Sequence, residues 1–473
     1  MHTGHCGSEA TLADVTARTD PEQQPELKRV IGPWLLLLFI VGDILGTGIY
    51  ALTGRVAGEV GGAVWVPFLV AFGVAMITGF SYLELVTKYP QAAGAALYTH
   101  KAFGIHFLTF MVTFAVMSSG ITSAATAAKA FAANFAEAFE FDSANGLVLT
   151  VIALAFMALV AAINLRGVGE SVKANVLLTC VELSGLLIVI CIGLWALGFG
   201  NGDFGRIIEF DTGDRSAFGG VIAATTLAFY AMVGFEDSVN MAEETKEPSR
   251  IFPKILLTGL LITGAIYVLV SITAVALVPP DKLSEGDTPL LQVVEIGAPG
   301  FPTQIFAFIT MFAVANSALI NMLMASRLLY GMAKHKVVPR SLGRVHPTRR
   351  TPYIAIIFTT LVALGLLLFV GEVPELGGTT ALLLLVVFTI VNIAVLVLRR
   401  DRVGHKHFRT PTPLPVLGAV CCAYLATPFT DRNPQQYVIA GILLAVGVVL
   451  WALTALWNKP HNVKPMGPGV DIR

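Results

Sequence analysis

Carboxylates and glycines set inside long apolar runs are the residues of this chain with chemistry in them. Asp43 stands in VGDILGTGIYALTG (41–54), followed by Gly46, Thr47 and Gly48. Glu182 lies in the apolar run 173–199, and Glu236 and Asp237 lie in TTLAFYAMVGFEDSVNMAEE (225–244). Ionisable groups at membrane depth are costly and usually functional, as proton carriers or cation partners. Glycines weaken a helix, and an interrupted helix exposes N–H and C=O groups that hydrocarbon does not satisfy. What the interruption offers in return is a pair of electrical ends. The N-terminal end of a half-helix presents N–H groups that suit an anion, and the C-terminal end presents carbonyls that suit a cation. Two such breaks meeting at the bilayer midplane fit a zwitterion, and a free α-amino acid has that form.

The elements that would position these groups are apolar helices. The 473 residues are 55% hydrophobic and 13% charged, with mean hydropathy +0.75. A soluble domain carries about 25% charged residues, so this composition is that of an all-α polytopic membrane protein. Zero net charge and a pI near 7.1 argue against a nucleic-acid partner. Five cysteines without a C-x-x-C give no disulfide framework.

Twelve stretches approach or exceed the roughly 20 residues that span hydrocarbon: about 31–58, 63–87, 103–135, 147–164, 173–199, 217–243, 253–279, 301–333, 353–371, 377–398, 414–430 and 436–457. Residues 1–28 are polar and read as a mobile cytoplasmic tail rather than a signal peptide. Residues 29–400 then form a ten-helix transport core, 401–458 two peripheral helices, and 459–473 a cytoplasmic C-terminal tail. Basic connections alternate with acidic ones. Lys334, Lys336, Arg340, Arg344, Arg349 and Arg350 fall in one connection, and Arg399, Arg400, Arg402, Lys406 and Arg409 in another. Glu137, Glu140 and Asp142, then Asp281, Glu285 and Asp287, then Glu372 and Glu375, fall in the intervening ones. By the positive-inside rule both termini face the cytoplasm of the cell membrane.

Spans one and six are the interrupted pair, at Gly42, Gly46 and Gly48 and around Gly234. Breaks five spans apart are what a five-plus-five inverted repeat predicts, with spans 1–5 and 6–10 related by a pseudo-two-fold axis in the membrane plane. The competing reading of the glycines is close helix packing.

Several stretches resemble the amino acid–polyamine–organocation superfamily, most closely its cationic-amino-acid-transporter-like permeases. They are GDILGTGIYALTG, GFSYLELVTKYPQAAGAALY, GESVKANVLLTCVELSGLL, FYAMVGFEDSVNMAEETKEPSRIFP and ASRLLYGMAKH, and the likeness covers roughly residues 30–400. The resemblance implies an inverted-repeat core and proton-coupled or exchange transport of amino acids. It also implies that N–H groups around Gly46, Thr47 and Gly48 hold a substrate carboxylate. Carbonyls near Ile44, Tyr230, Ala231 and Val233 would hold its ammonium, and Tyr230 falls at an aromatic gate unless it is an ordinary packed ring.

Two positions depart from the family pattern. Proton-coupled relatives often carry a lysine twelve residues after the Glu of an E-S-x-x-x-N motif. Here Glu170, Ser171 and Asn175 fit that motif, but the twelfth position is Glu182. A carboxyl cannot replace a cation. It binds one, or carries a proton itself, or is a neutral acid bonded to a neighbouring helix. Asp43 is the second departure: it shares a proton or a cation with Glu182, or it caps the half-helix that follows. Glu236 and Asp237 either neutralise a basic substrate group or stabilise the start of the second half-helix. Glu84, Glu243 and Glu244 are expected in inner-gate ion pairs, and Arg55 with Glu59 in an outer pair. Asn316, Ser317 and Asn321 face an ion site or bond between helices.

Other classes fit less well. The nine histidines sit in tails, loops or helix ends, and neither H-E-x-x-H nor a nucleophile elbow occurs, so neither an enzyme nor a bound cofactor is expected. A channel would want symmetric rings of carbonyls or charges. Among transporters the alternatives are a carrier of polyamines or other small organic amines, which would leave the N–H groups near Thr47 and Gly48 without an anion, and an amino acid exchanger.

Overall fold

The computed structural model describes residues 31–458, apart from 92–93, 143–144, 167–170, 201, 335–337, 348, 350 and 371. Both tails and Glu170 therefore lie outside the described residues, as do the side chains of Ser171, Asn175 and Glu243. Sixteen α-helices follow one another: α1 (Pro33–Leu45), α2 (Thr47–Val60), α3 (Trp65–Lys88), α4 (Gly94–Phe103), α5 (His106–Ala138), α6 (Gly146–Arg166), α7 (Ser171–Gly198), α8 (Ala217–Ala228), α9 (Pro248–Leu277), α10 (Pro280–Leu283), α11 (Pro289–Gly297), α12 (Thr303–Lys334), α13 (Tyr353–Phe369), α14 (Val373–Leu398), α15 (Pro413–Leu425) and α16 (Pro434–Asn458). Among the described residues there is no strand, only two isolated bridges.

Ten of the twelve expected spans are long and apolar enough to cross a membrane, the first being α1 and α2 together, and this is a multi-pass membrane protein. The other two apolar segments, α13 and α15, have 17 and 13 residues. α15 stops at Leu425 because Pro428 lies just beyond, and the residue before a proline is pushed out of the α region. Large apolar side chains on the outer faces, such as Leu147 and Leu159 on α6 and Leu361 and Leu368 on α13, are exposed, as a lipid-facing surface requires. Inside, α5 packs most extensively on α12 and α14, while α1 lies against α7 and α9. Hydroxyls at depth bond back along their own helices, as Thr53 does to the Ile49 carbonyl and Thr87 to the Leu83 carbonyl.

The three glycines of the first span part company. Gly42 is inside α1, where an added Cβ would collide with Thr179 of α7. Gly48 is inside α2, pressed on the Ala231 backbone. Only Gly46 breaks the helix. For Gly42 and Gly48, close packing is the right account. The sixth span is interrupted differently: α8 tightens into a 3₁₀ turn at Phe229–Met232, opens at Val233–Gly234, and resumes as 3₁₀ helix over Asp237–Glu244 rather than as an α half-helix.

Candidate functional site

The two interruptions touch. Gly234 has φ +124°, a conformation that glycine adopts at little cost, and a Cβ there would lie 2.6 Å from the Asp43 carbonyl oxygen at the end of α1. On the other side of the break Gly48 meets Ala231. Gly46 is covered by Ser317 of α12, whose Oγ would lie 2.6 Å from an added Cβ. No side chain caps the first turn of α2, so its opening N–H groups are left for something else.

One cavity lies at this junction. Asp43, Ile44, Gly46, Thr47 and Gly48 of the first span line it, together with Tyr230, Val233, Gly234 and Asp237 of the sixth. Ser317 and Asn321 of α12 and Ser123 of α5 close it. The Tyr230 hydroxyl pairs with Ser123 Oγ at 3.1 Å. The Ile44 carbonyl already accepts the Tyr267 hydroxyl at 2.5 Å, so one of its two lone pairs is in use. Uncapped N–H groups on one wall and helix-end carbonyls on another can hold a small molecule with both charges.

Most of the residues expected from the sequence to bind substrate are brought together here, with two exceptions. Ala231 lies beneath Gly48 rather than on the cavity wall. Glu236 lines a neighbouring cavity instead, and its Oε2 accepts the Gly234 N–H at 2.9 Å, so its carboxylate steadies the break itself.

Asp43 does not cap α2; its Oδ2 is buried without a hydrogen-bond partner. Glu182 is wholly buried on α7, and neither carboxylate oxygen has a partner. The Tyr50 hydroxyl donates to the backbone carbonyl of Glu182 at 2.7 Å. Asp43 shares its cavity with Asp237, and Gly42 beside it packs on Thr179 of α7, the helix that carries Glu182. The two departures from the family pattern thus stand on helices that pack together, and no hydrogen bond joins them among the described residues. No group of three or more candidate ligands able to hold a metal ion occurs among the described residues.

Of the expected ion pairs of Glu84, Glu243 and Glu244 with Lys or Arg, that of Glu84 is formed. Its partner is Arg399 at the end of α14: Nε and Nη2 donate to its two oxygens at 3.0 and 2.9 Å, and the Thr410 N–H adds a third bond at 2.8 Å. Neither partner belongs to the first or sixth span. Glu244 makes no ion pair among the described residues. Its carbonyl accepts the Ile31 N–H at 3.0 Å, and the Lys246 N–H donates to the Ile31 carbonyl at 3.0 Å. Backbone pairing, not charge, ties the start of the first span to the end of the sixth. Arg55 pairs with Asp287 and Glu59 with Arg215, so the expected Arg55–Glu59 pair is not formed. Helical i,i+4 spacing brought those two together on paper, but each found a partner on another element.

Ser123, Thr179 and Tyr267 were not singled out from the sequence. Ser123 sits in the small-residue run SSGITSAATAA, a pattern that marks close helix packing as readily as a site.

The family described as "Amino acid permease" matches residues 31–455. The branched-chain amino acid permease BcaP of Bacillus subtilis is 25% identical, covering 96% of this chain and 97% of its own. The chloroplastic cationic amino acid transporter 9 of Arabidopsis thaliana is 26% identical, over 94% and 81%. The methylthioribose transporter of Bacillus subtilis is 25% identical, over 92% and 95%. These relatives are transporters and not enzymes. With the family matched from the first described residue almost to the end of α16, and the broken helices meeting at one polar cavity, this chain belongs to the amino acid permease family.

Proposed function

We propose that the protein is a secondary active transporter that moves amino acids across the cytoplasmic membrane by alternating access, with a proton as the coupling ion. The observation that carries this reading is the junction of the two breaks: the uncapped start of α2 and the carbonyl end of α1 face one cavity, against the opened backbone of the sixth span. The substrate carboxylate accepts from the N–H groups of Thr47 and Gly48, where the helix end favours negative charge. The ammonium donates to carbonyls of Ile44, Tyr230 and Val233, with Ile44 shared with Tyr267. Tyr230, held by Ser123, forms the movable wall.

Glu182 and Asp43 carry the coupling step. A buried carboxylate without a cation is strongly disfavoured, and either a proton or a cation relieves it. The other glutamates expected at the gate, Glu243 and Glu244, stand where the sixth span meets the chain ahead of α1, so closure of the inner side runs through that seam. In this reading α13 and α15 complete twelve spans, spans 1–5 and 6–10 are inverted repeats, residues 29–400 are the core, and the basic connections hold both termini in the cytoplasm.

Uptake by purified protein in liposomes, against a panel of branched-chain and basic amino acids with and without an imposed pH gradient, tests the proposal. Expected are saturable uptake driven by the gradient, and at least tenfold weaker competition by the decarboxylated analogue of the best substrate. Equal competition would remove the carboxylate from recognition, and indifference to the gradient would remove the proton.

A further inference from the structure

A second polar cavity adjoins the first and shares Asp237 with it. Its charged wall is Glu236 and Asp237, with Asn240 beyond them and Tyr82 of α3 opposite. Val116 of α5 and Leu328 of α12 supply an aliphatic rim. Glu236 accepts the Gly234 N–H with one oxygen, and the Asp237 carboxyl lines the cavity beside it. Tyr82 is 1% exposed, and among the described residues its hydroxyl has no hydrogen-bond partner. A buried hydroxyl without a partner is costly, and this one belongs to a residue that lines the same cavity as two carboxyls.

We infer that this cavity is a binding subsite for a primary alkylammonium group. Glu236, Asp237 and the Tyr82 hydroxyl line one cavity and can each accept from an ammonium, which has three donors. Val116 and Leu328 of the same lining suit the carbon attached to it. A bare metal ion fits worse, since no candidate metal cluster occurs among the described residues. Because Asp237 faces both cavities, the subsite is the next stop beyond the broken helices. The inference rests on the transport reading for its source of ammonium. That group is either the substrate's α-amino group leaving the outer cavity, or the side-chain ammonium of a basic substrate whose α-groups stay there.

Equilibrium binding of n-butylammonium to the purified full-length protein decides whether the subsite exists. Glu236→Gln keeps an acceptor for the Gly234 N–H and should weaken binding at least tenfold. Tyr82→Phe keeps the ring packing on Tyr98, Phe235 and Phe388 and should weaken it several-fold. No binding, or unchanged affinity in both variants, overturns the inference and leaves the cavity to water. Lysine and norleucine, which differ in a terminal ammonium, then identify the source. Loss of lysine's advantage in Glu236→Gln assigns the side-chain group. Inhibition of norleucine uptake by n-butylammonium on the inner side, abolished in Glu236→Gln, assigns the α-amino group. If neither amino acid is taken up while n-butylammonium still binds, the transport reading fails and the subsite stands.

Discussion

Glu84 and Glu182 are the same residue type, each buried in a membrane-spanning helix, at 2% and 0% exposure. Their surroundings are opposite. Glu84 collects two bonds from one guanidinium and a third from a backbone N–H, and neighbouring Lys88 reinforces the junction by donating to the Leu398 and Asp401 carbonyls. Glu182 has none among the described residues: the Tyr50 hydroxyl donates to its backbone carbonyl rather than to its carboxyl, and the Tyr267 hydroxyl donates to the Ile44 carbonyl. Depth in the membrane therefore does not separate a paired carboxyl from an unpaired one. The partner set does, because a satisfied charge is fixed in place whereas an unsatisfied one gains by taking up a proton or a cation.

Removing the paired carboxyl should have the largest effect. Glu84→Ala takes the carboxylate from Arg399, whose side chain is 13% exposed and keeps only the Thr410 carbonyl and the Thr412 hydroxyl among the described residues. It should destabilise the protein by about 3 kcal/mol, read from unfolding in detergent. Removing Arg399 as well should add much less than the two single losses together. A loss under about 1 kcal/mol for the single variant would put Glu84 in the same class as Glu182.

Glu182→Gln sharpens the contrast from the other side. Its stability should stay within about 1 kcal/mol of the parent, since no hydrogen bond to the carboxylate is broken, while uptake should lose its response to an imposed pH gradient. A stability loss on the Glu84 scale would reveal a partner, and unchanged proton dependence would remove Glu182 from coupling.

A smaller change tests the frame between them. Tyr267→Phe removes the donor to the Ile44 carbonyl and should cost about 1 kcal/mol of stability, with a KM for substrate altered a few-fold. An unchanged KM would separate the Ile44 carbonyl from recognition. The smallest effect belongs to Glu59→Gln. The Glu59–Arg215 pair is about one-third exposed on both sides, so its loss should come to less than about 1 kcal/mol and shrink with added salt.

How far the sequence could be read depended on whether an inference was local. Apolar runs of spanning length, the breaks in the first and sixth spans and the carboxyls at depth were legible, because hydropathy and glycine content act along one segment. Within the first span the sequence did not rank Gly42, Gly46 and Gly48, since a glycine that breaks a helix and one that lets another helix approach look alike. Thr179 and Ala231 explain Gly42 and Gly48, and both belong to other spans. The partner of Glu84 lay more than three hundred residues away on α14, beyond anything spacing could suggest. Arg55 and Glu59 show the converse, where good local spacing lost to Asp287 and Arg215. Glu236 divided in the same way: its depth was visible, but its turn back to the Gly234 N–H and into the second cavity was not.

By itself the sequence determined that this chain is a bundle of apolar helices, interrupted at two places and carrying carboxyls where hydrocarbon would exclude them. Those properties follow from transfer free energies and helix propensities, which each segment has on its own. Tertiary structure decided that the interruptions meet, that Glu84 is paired while Glu182 has no partner among the described residues, and that Asp237 faces two cavities. Those outcomes depend on which faces of distant helices pack together, because hydrogen bonds and ion pairs form only between groups that packing brings within a few ångströms.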